Sequence, residues 1–452
     1  MPTRILIPSG VLGLGFDREA LARGVANKPD AICIDGGSTD SGPFYLGTGT
    51  SKYSTLATRS DWRELMISRQ QLGVPLVIGS CGTCGADQTV DWMYDLTCDI
   101  ATELGQQVKV ARLYSSQPAN TLISAFESGR ITELQPSITV DINVINACSN
   151  VVALAGVEQI NHALASGADI VLAGRTTDTA VISAIPIANG EHAGACWHGA
   201  KIGECGALCS TNPVSGVIQI DFDHEGFNVV PLADGASCTP YSVFAHMLYE
   251  NADPLRLVEP GGVLDVSEAK YQAIDTASVR VTGSVWHSTD DYTVKLEGAR
   301  LVGYQTSALV MLRQPRYVTA ARQWTERLHI FLTDKIQQQM DLAESEYDVE
   351  FRHIGVNATL GDLETLESTP AEVGVLMLVT ASTQDTANDI ARLCNPYLLH
   401  YPLSDNEELP TFAFPYSPAE SARGALYEFA LNHVLHLDDP MHAFRLTVSE
   451  VG

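Results

Sequence analysis

The chain has 452 residues, with 54 acidic against 27 basic side chains and a formal net charge of −27. This balance excludes a nucleic-acid binder, which needs clustered Lys and Arg to neutralise phosphates, and a basic membrane-surface protein. The hydrophobic fraction of 45% is enough for a sizeable core in two or three domains of ordinary size, and a local pocket can still oppose the global field to take an anion.

No targeting segment is expected. Ile5-Leu6-Ile7 is too short for a secretory core and is closed by Pro8. The longest apolar run, Val373 to Val379, is about a third of a bilayer span. The 10 cysteines lack the spacing of a secreted disulfide scaffold. A reduced, cytoplasmic protein is the expectation.

The first half alternates short apolar runs with amphipathic segments, which predicts an α/β fold: a mostly parallel sheet flanked by helices. Arg4 to Ile7 reads as a strand, followed by the loop Ser9 to Gly15 and a helix from Asp17. Ala31 to Ile34 is a second strand. Asp61 to Leu72 is helical and stopped by Gly73; Leu76 to Ile78 is a third strand; Asp87 to Leu104 is a helix capped by Gly105. Val108 to Leu113, the helix Val157 to Ala165 and the strand Ile170 to Leu172 continue the pattern.

After about residue 215 the pattern changes, so the expected division is an α/β domain over 1–215 and an α+β domain over 216–452. Val217 to Ile220 and Val279 to Ser284 read as strands, Tyr292 to Leu309 as a strand pair turning at Gly298, and Trp324 to Gln339 as a helix. Val373 to Thr380, Asp385 to Leu393 and Tyr397 to His400 read as a late βαβ-like unit, and the proline-rich, acidic segment Leu403 to Pro418 as an ordered loop.

Three strand ends share one design, an apolar run followed by glycine and polar residues and then a helix. They are Asp35-Gly36-Gly37-Ser38-Thr39-Asp40, the Gly79 to Asp87 loop with Ser80, Gly82 and Gly85, and Gly174-Arg175-Thr176-Thr177-Asp178. In an open parallel sheet such loops gather at the carboxyl edge, where ligands bind. Glycines let backbone amides approach an anion, and Arg175 offers a fork suited to a carboxylate. Asp35, Asp40 and Asp178 could move protons or hold a divalent cation; alternatively Asp40 and Asp178 only cap helices.

A dinucleotide is argued against, because the third glycine position of the Gly13-Leu14-Gly15 run holds Arg18. No metal site is assigned. Cys81 and Cys84 have C-x-x-C spacing, and Cys196, His198, Cys205 and Cys209 lie close together, but neither set pairs as a zinc ribbon does. Cys205 follows His198 and Lys201, so a thiol activated by a neighbouring base is one reading and a core cysteine the other. No P-loop, H-E-x-x-H, G-x-S-x-G or EF-hand pattern occurs. His246 follows an aromatic helix face, and His433 and His436, three apart near the C-terminus, read as structural or interfacial.

With these residues in hand, the chain resembles the acyclic terpene utilisation AtuA-like family. The resemblance rests on Asp35 to Asp40 with Gly42-Pro43, on Gly167 to Arg175, and on Glu204-Cys205-Gly206-Ala207. It continues through Tyr249 to Pro254, Glu259 to Asp265, Lys295 to Ala299 and Pro415 to Glu420. It implies catabolism of branched acyl compounds and small carboxylates, often as CoA esters. Longer relatives continue into a small ferredoxin-like domain, and this chain stops at Val451-Gly452, so the resemblance implies a separate small partner subunit.

The expected function is a lyase or hydratase of a small carboxylate or its CoA ester. Asp35 or Asp178 would shuttle a proton, with Cys205 or His198 as a second acid–base group. Arg175, Thr176, Ser38, Thr39, Asn251 and the loop amides would hold the substrate. The alternatives are a Cys205-dependent hydrolase or transferase and a non-catalytic subunit of a complex. No organic cofactor is indicated, and a homo-oligomer is expected.

Overall fold

The runs Thr3–Ile7, Ala31–Asp35, Leu76–Gly79 and Ile170–Ala173 are strands buried along almost their whole length. That is why they read as continuous apolar stretches rather than alternating ones. In this computed structural model, which describes residues 2–134, 139–366 and 369–452, they pair in parallel and in that order, with Val108–Tyr114 parallel beyond the last of them. Antiparallel strands extend the sheet on both sides. Ile218–Phe222 lies against Thr3–Ile7, and Arg445–Val451 lies against Val108–Tyr114. The result is a ten-stranded mixed sheet, parallel at its centre.

Helices cover both faces. On one, Leu65, Met66, Val90, Met93 and Ile100 pack on Leu6, Ile32, Ile34 and Ile78; on the other, Val181, Ala184, Trp197 and Ala200 pack on Ile5, Cys33 and Val77. The helix stops act as expected. Asp17 is the cap of Arg18–Ala26, accepting from the amides of Glu19 and Ala20, and Gly73 and Gly105 close Thr55–Leu72 and Asp87–Leu104 in the left-handed conformation.

The chain divides into two compact units, residues 1–300 with 429–452, and residues 301–428. The boundary expected near 215 does not coincide with this division. The reason is pairing: Ile218–Phe222 belongs to the same sheet as the first strand. The second unit has its own core. Residues 304–312 pair antiparallel with Val373–Ala381, which pairs in turn with Tyr347–Ile354. Helices Ala321–Met340 and Gln384–His400 bury Trp324, Leu328, Ile390 and Leu398 there.

Two further expectations change. Tyr292–Leu312 is one long strand rather than a pair turning at Gly298. Gly298 is small because a Cβ there would lie 2.8 Å from Cβ of Leu431 and 3.1 Å from Val151. Tyr397 to His400 is the end of helix Gln384–His400, not a strand, because Leu398 continues the buried stripe of Ile390 and Cys394 past Pro396. No helix among the described residues is long and apolar enough to cross a membrane.

Candidate active site

The register places Asp35 opposite Gly79 and Ile78 opposite Leu172, so three neighbouring strands end side by side. Their loops, starting at Asp35, Ser80 and Gly174, therefore meet, as the repeated strand-end design predicts. They meet by interlocking backbones. The amides of Gly36, Ser80, Gly85 and Arg175 donate to the carbonyls of Gly79, Gly174, Cys81 and Gly85, at 2.8, 2.8, 3.1 and 3.0 Å.

This changes the role expected of the glycines. A Cβ on Gly36 would lie 2.3 Å from the Ser80 carbonyl, one on Gly85 2.1 Å from the Arg175 nitrogen, and one on Gly82 2.7 Å from Thr89. Gly174 faces Ser115 at 2.6 Å, and Gly37 faces the Thr83 side chain at 3.2 Å. These residues are small so that the loops can close on each other. Amides that would have cradled an anion are spent on that closure, Gly37 N donating to Asp35 Oδ2 at 2.9 Å.

Arg175, 5% exposed, is the centre of the side-chain network. Its Nε donates to Glu297 Oε2 (3.1 Å), and its Nη1 to Ser80 Oγ (2.8 Å), the Thr176 carbonyl (3.2 Å) and Asp178 Oδ1 (3.4 Å). Glu297 also accepts from Thr39 Oγ1 at 2.9 Å and from Lys295 Nζ at 2.9 Å. Burial opposes its charge, but Arg175 and Lys295 hold the carboxyl down at about 2. Glu297 was missed by residue-type reasoning because it lies mid-strand, away from any glycine-rich loop. Its signal was the Lys295-x-Glu297 alternation, which puts both side chains on one face.

Asp35 is buried and its Oδ1 has no partner. Burial, then Asp178, push its carboxyl well above the ordinary range, while Arg175 pulls the other way. Asp178 opens helix Asp178–Ala188, where Thr177 rather than Asp178 is the cap. Its side chain is 26% exposed. Burial raises its pKa, with Arg175 and Lys201 opposing. Thr176 is buried with its hydroxyl unpartnered.

Two further acids complete the cluster, and both were unassigned in the sequence. Glu204 pairs with Lys201 at the end of helix Ala193–Gly203, and burial raises its pKa to about 8. Glu259 ends strand Arg256–Glu259 and accepts from Thr179 Oγ1 at 2.7 Å; burial raises it to about 7. Glu204, Glu259 and Asp178 act on one another electrostatically, and Lys201 acts on all three. At the outer side Asp40 is exposed and bonded to Ser38, and its carboxyl meets that of Glu250, which Tyr249 also contacts.

Three expected site residues stand elsewhere or in another state. His198 is wholly buried against Phe227 and Tyr271, bonded to Ser284 Oγ (2.7 Å) and Tyr271 Oη (3.1 Å), and burial brings it down to about 3. It shares no face with Cys205 because the helix ends at Gly203. Cys205 is half-buried, and burial and then Glu204 push its thiol up, the reverse of an activated thiolate. Asn251 donates to the Met247 carbonyl at 2.8 Å and so closes a helix end. Cys81 and Cys84 are buried free thiols, and among the described residues no group of three or more His, Cys, Asp or Glu could hold a metal ion.

A cavity of about 480 Å³ lies at the opposite ends of the same strands, among Val74, Leu164, Ala168, Asp169, Ile185 and Asn189. Titratable chemistry gathers at the carboxyl ends instead, and burial of so many ionisable groups there marks the candidate site.

Fold and cluster together define an α/β protein with a mixed-charge cluster of buried ionisable groups at the carboxyl edge of its sheet. The profile of the acyclic terpene utilisation family protein AtuA matches residues 77–405, and the chain belongs to that family. Membership implies a role in acyclic terpene catabolism. The matched span carries Ser80, Arg175, Asp178, Lys201, Glu204 and Glu297 and begins after Asp35. No curated protein and no solved structure matches the chain.

Proposed function

We propose that the chain is a lyase or hydratase that moves water off or onto a small carboxylate, or its CoA ester, within acyclic terpene catabolism. The observation that carries this reading is the pairing of Asp178, one-quarter exposed beside Arg175, with the buried carboxyl of Glu204 on Lys201, which burial raises to about 8. Asp178 is the group able to reach a substrate and take a proton next to its carbonyl. Glu204, protonated in part at neutral pH, is the group able to supply one. Arg175 keeps Asp178 in place, its Nε and Nη1 being engaged by Glu297, Ser80 and Asp178.

The test is turnover. Branched acyclic hydroxy acids and their CoA esters are incubated with the purified chain, and loss of water is followed by mass spectrometry. Asp178→Asn should lower the rate by roughly 10²–10⁴-fold, the ordinary worth of a positioned base. An Asp178→Asn protein as fast as the wild type overturns the assignment. A wild type inert toward every such compound favours the non-catalytic reading.

A further inference from the structure

Two polar groups beside this site have unused hydrogen-bonding capacity. Lys201, 6% exposed, gives one N–H to Glu204, and its remaining donors have no partner among the described residues. His246 ends helix Pro240–His246 and is 7% exposed. Its ring stacks on Tyr249, with centroids 5.6 Å apart and planes 14° off parallel, and its Nε2 is buried with no partner. The two are within electrostatic reach: burial first, and then the Lys201 ammonium, hold this imidazole neutral, at about 4. Lys201 also acts on half-buried Cys205 and on exposed Glu250.

We propose that Lys201 and His246 form a hydroxyl-binding subsite, so that the substrate of this site is a hydroxylated carboxylate or its thioester. This rests on the reading of the cluster as a water-eliminating site. The two groups are complementary to a hydroxyl. A hydroxyl is both donor and acceptor, so it can accept from the ammonium and donate to a neutral imidazole nitrogen. A carboxylate oxygen would satisfy Lys201 but set an acceptor against Nε2, and a methyl group would leave both unpaired in a buried place.

The subsite also places the leaving group next to its acid. Asp178 takes the proton from carbon, and that C–H electron pair becomes the double bond. The C–O bond breaks with its electrons on oxygen, and Glu204 protonates the oxygen, so water departs. The reverse sequence adds it.

Calorimetric titration of the full chain with 3-hydroxy-3-methylbutyrate and with 3-methylbutyrate tests this. The wild type should bind the hydroxy acid roughly tenfold tighter or more, because the other acid strands a buried donor and acceptor. His246→Phe keeps a ring against Tyr249 and removes the acceptor, so its preference should fall to about parity. A preference unchanged in His246→Phe, or absent from the wild type, overturns the subsite. Nitrogen NMR of the unmutated protein guards against a folding artefact: the His246 Nε2 signal should move with the hydroxy acid and stay with its deoxy partner, and a still signal is a refutation. Hydroxyl preference without turnover would sink the elimination reading alone, and turnover without hydroxyl preference would sink the subsite alone.

Discussion

Gly85 has φ +64°, and a Cβ built there would lie 2.1 Å from the backbone nitrogen of Arg175. Gly73 has nearly the same φ, +67°, but open space around it. The two separate backbone strain from steric exclusion. Gly73→Ala should cost about 1–2 kcal/mol, the left-handed penalty alone. Gly85→Ala adds a clash with backbone that cannot give, so roughly 3 kcal/mol or more is expected. Urea midpoints of the two variants check this, and equal losses would contradict it. The comparison also shows what single residues disclose. Glycine-rich strand ends were visible in the sequence, and so was their convergence. What a sequence does not display is where each amide hydrogen goes, so a backbone cradle and a backbone interlock look alike until Gly36 N meets the Gly79 carbonyl and Arg175 N the Gly85 carbonyl. Cys205 follows the same logic, since a thiol near a lysine in sequence is pushed up once burial and Glu204 are in place.

Among elements, those whose signal is local were legible and those defined by partners were not. Asp87–Leu104 and Val157–Ala165 carry their own periodicity and stops, and they form over the residues expected. Tyr292–Leu312 was misread at Gly298, where a glycine needed for close approach to Leu431 mimics a turn. Strand Arg256–Glu259 is instructive because its last residue reaches helix Asp178–Ala188 through Thr179. The carboxyl of Glu259, raised by burial to about 7, stays protonated in the fold at pH values where it ionises in the unfolded chain. Stability from this group is therefore present below about pH 4.5 and lost as pH climbs toward 7, by on the order of 3 kcal/mol. Glu259→Gln cannot ionise. Relative to wild type it should gain stability between pH 4 and pH 8, read as diverging urea midpoints, and parallel pH profiles of the two proteins would refute the buried, proton-holding state.

At the scale of the whole molecule, the composition spoke clearly about charge and poorly about division. A pattern change near 215 was visible, yet strands on both sides of it share one sheet; the unit that does stand apart, residues 301–428, interrupts the other in sequence. Its core, Val310, Trp324, Leu328, Val375, Met377 and Ile390 among others, is drawn from its own residues. Trp324 is the one tryptophan of that unit, whereas Trp62, Trp92, Trp197 and Trp286 belong to the other. Two self-contained cores need not melt together, and two-state behaviour is a property of single domains. Unfolding of the wild type should therefore give a tryptophan-fluorescence curve displaced from the far-ultraviolet dichroism curve. Trp324→Phe should delete only the component contributed by residues 301–428. Coincident curves, unaltered in shape by that substitution, would mean the two cores share one cooperative transition, and the division of the chain would be geometric without being energetic.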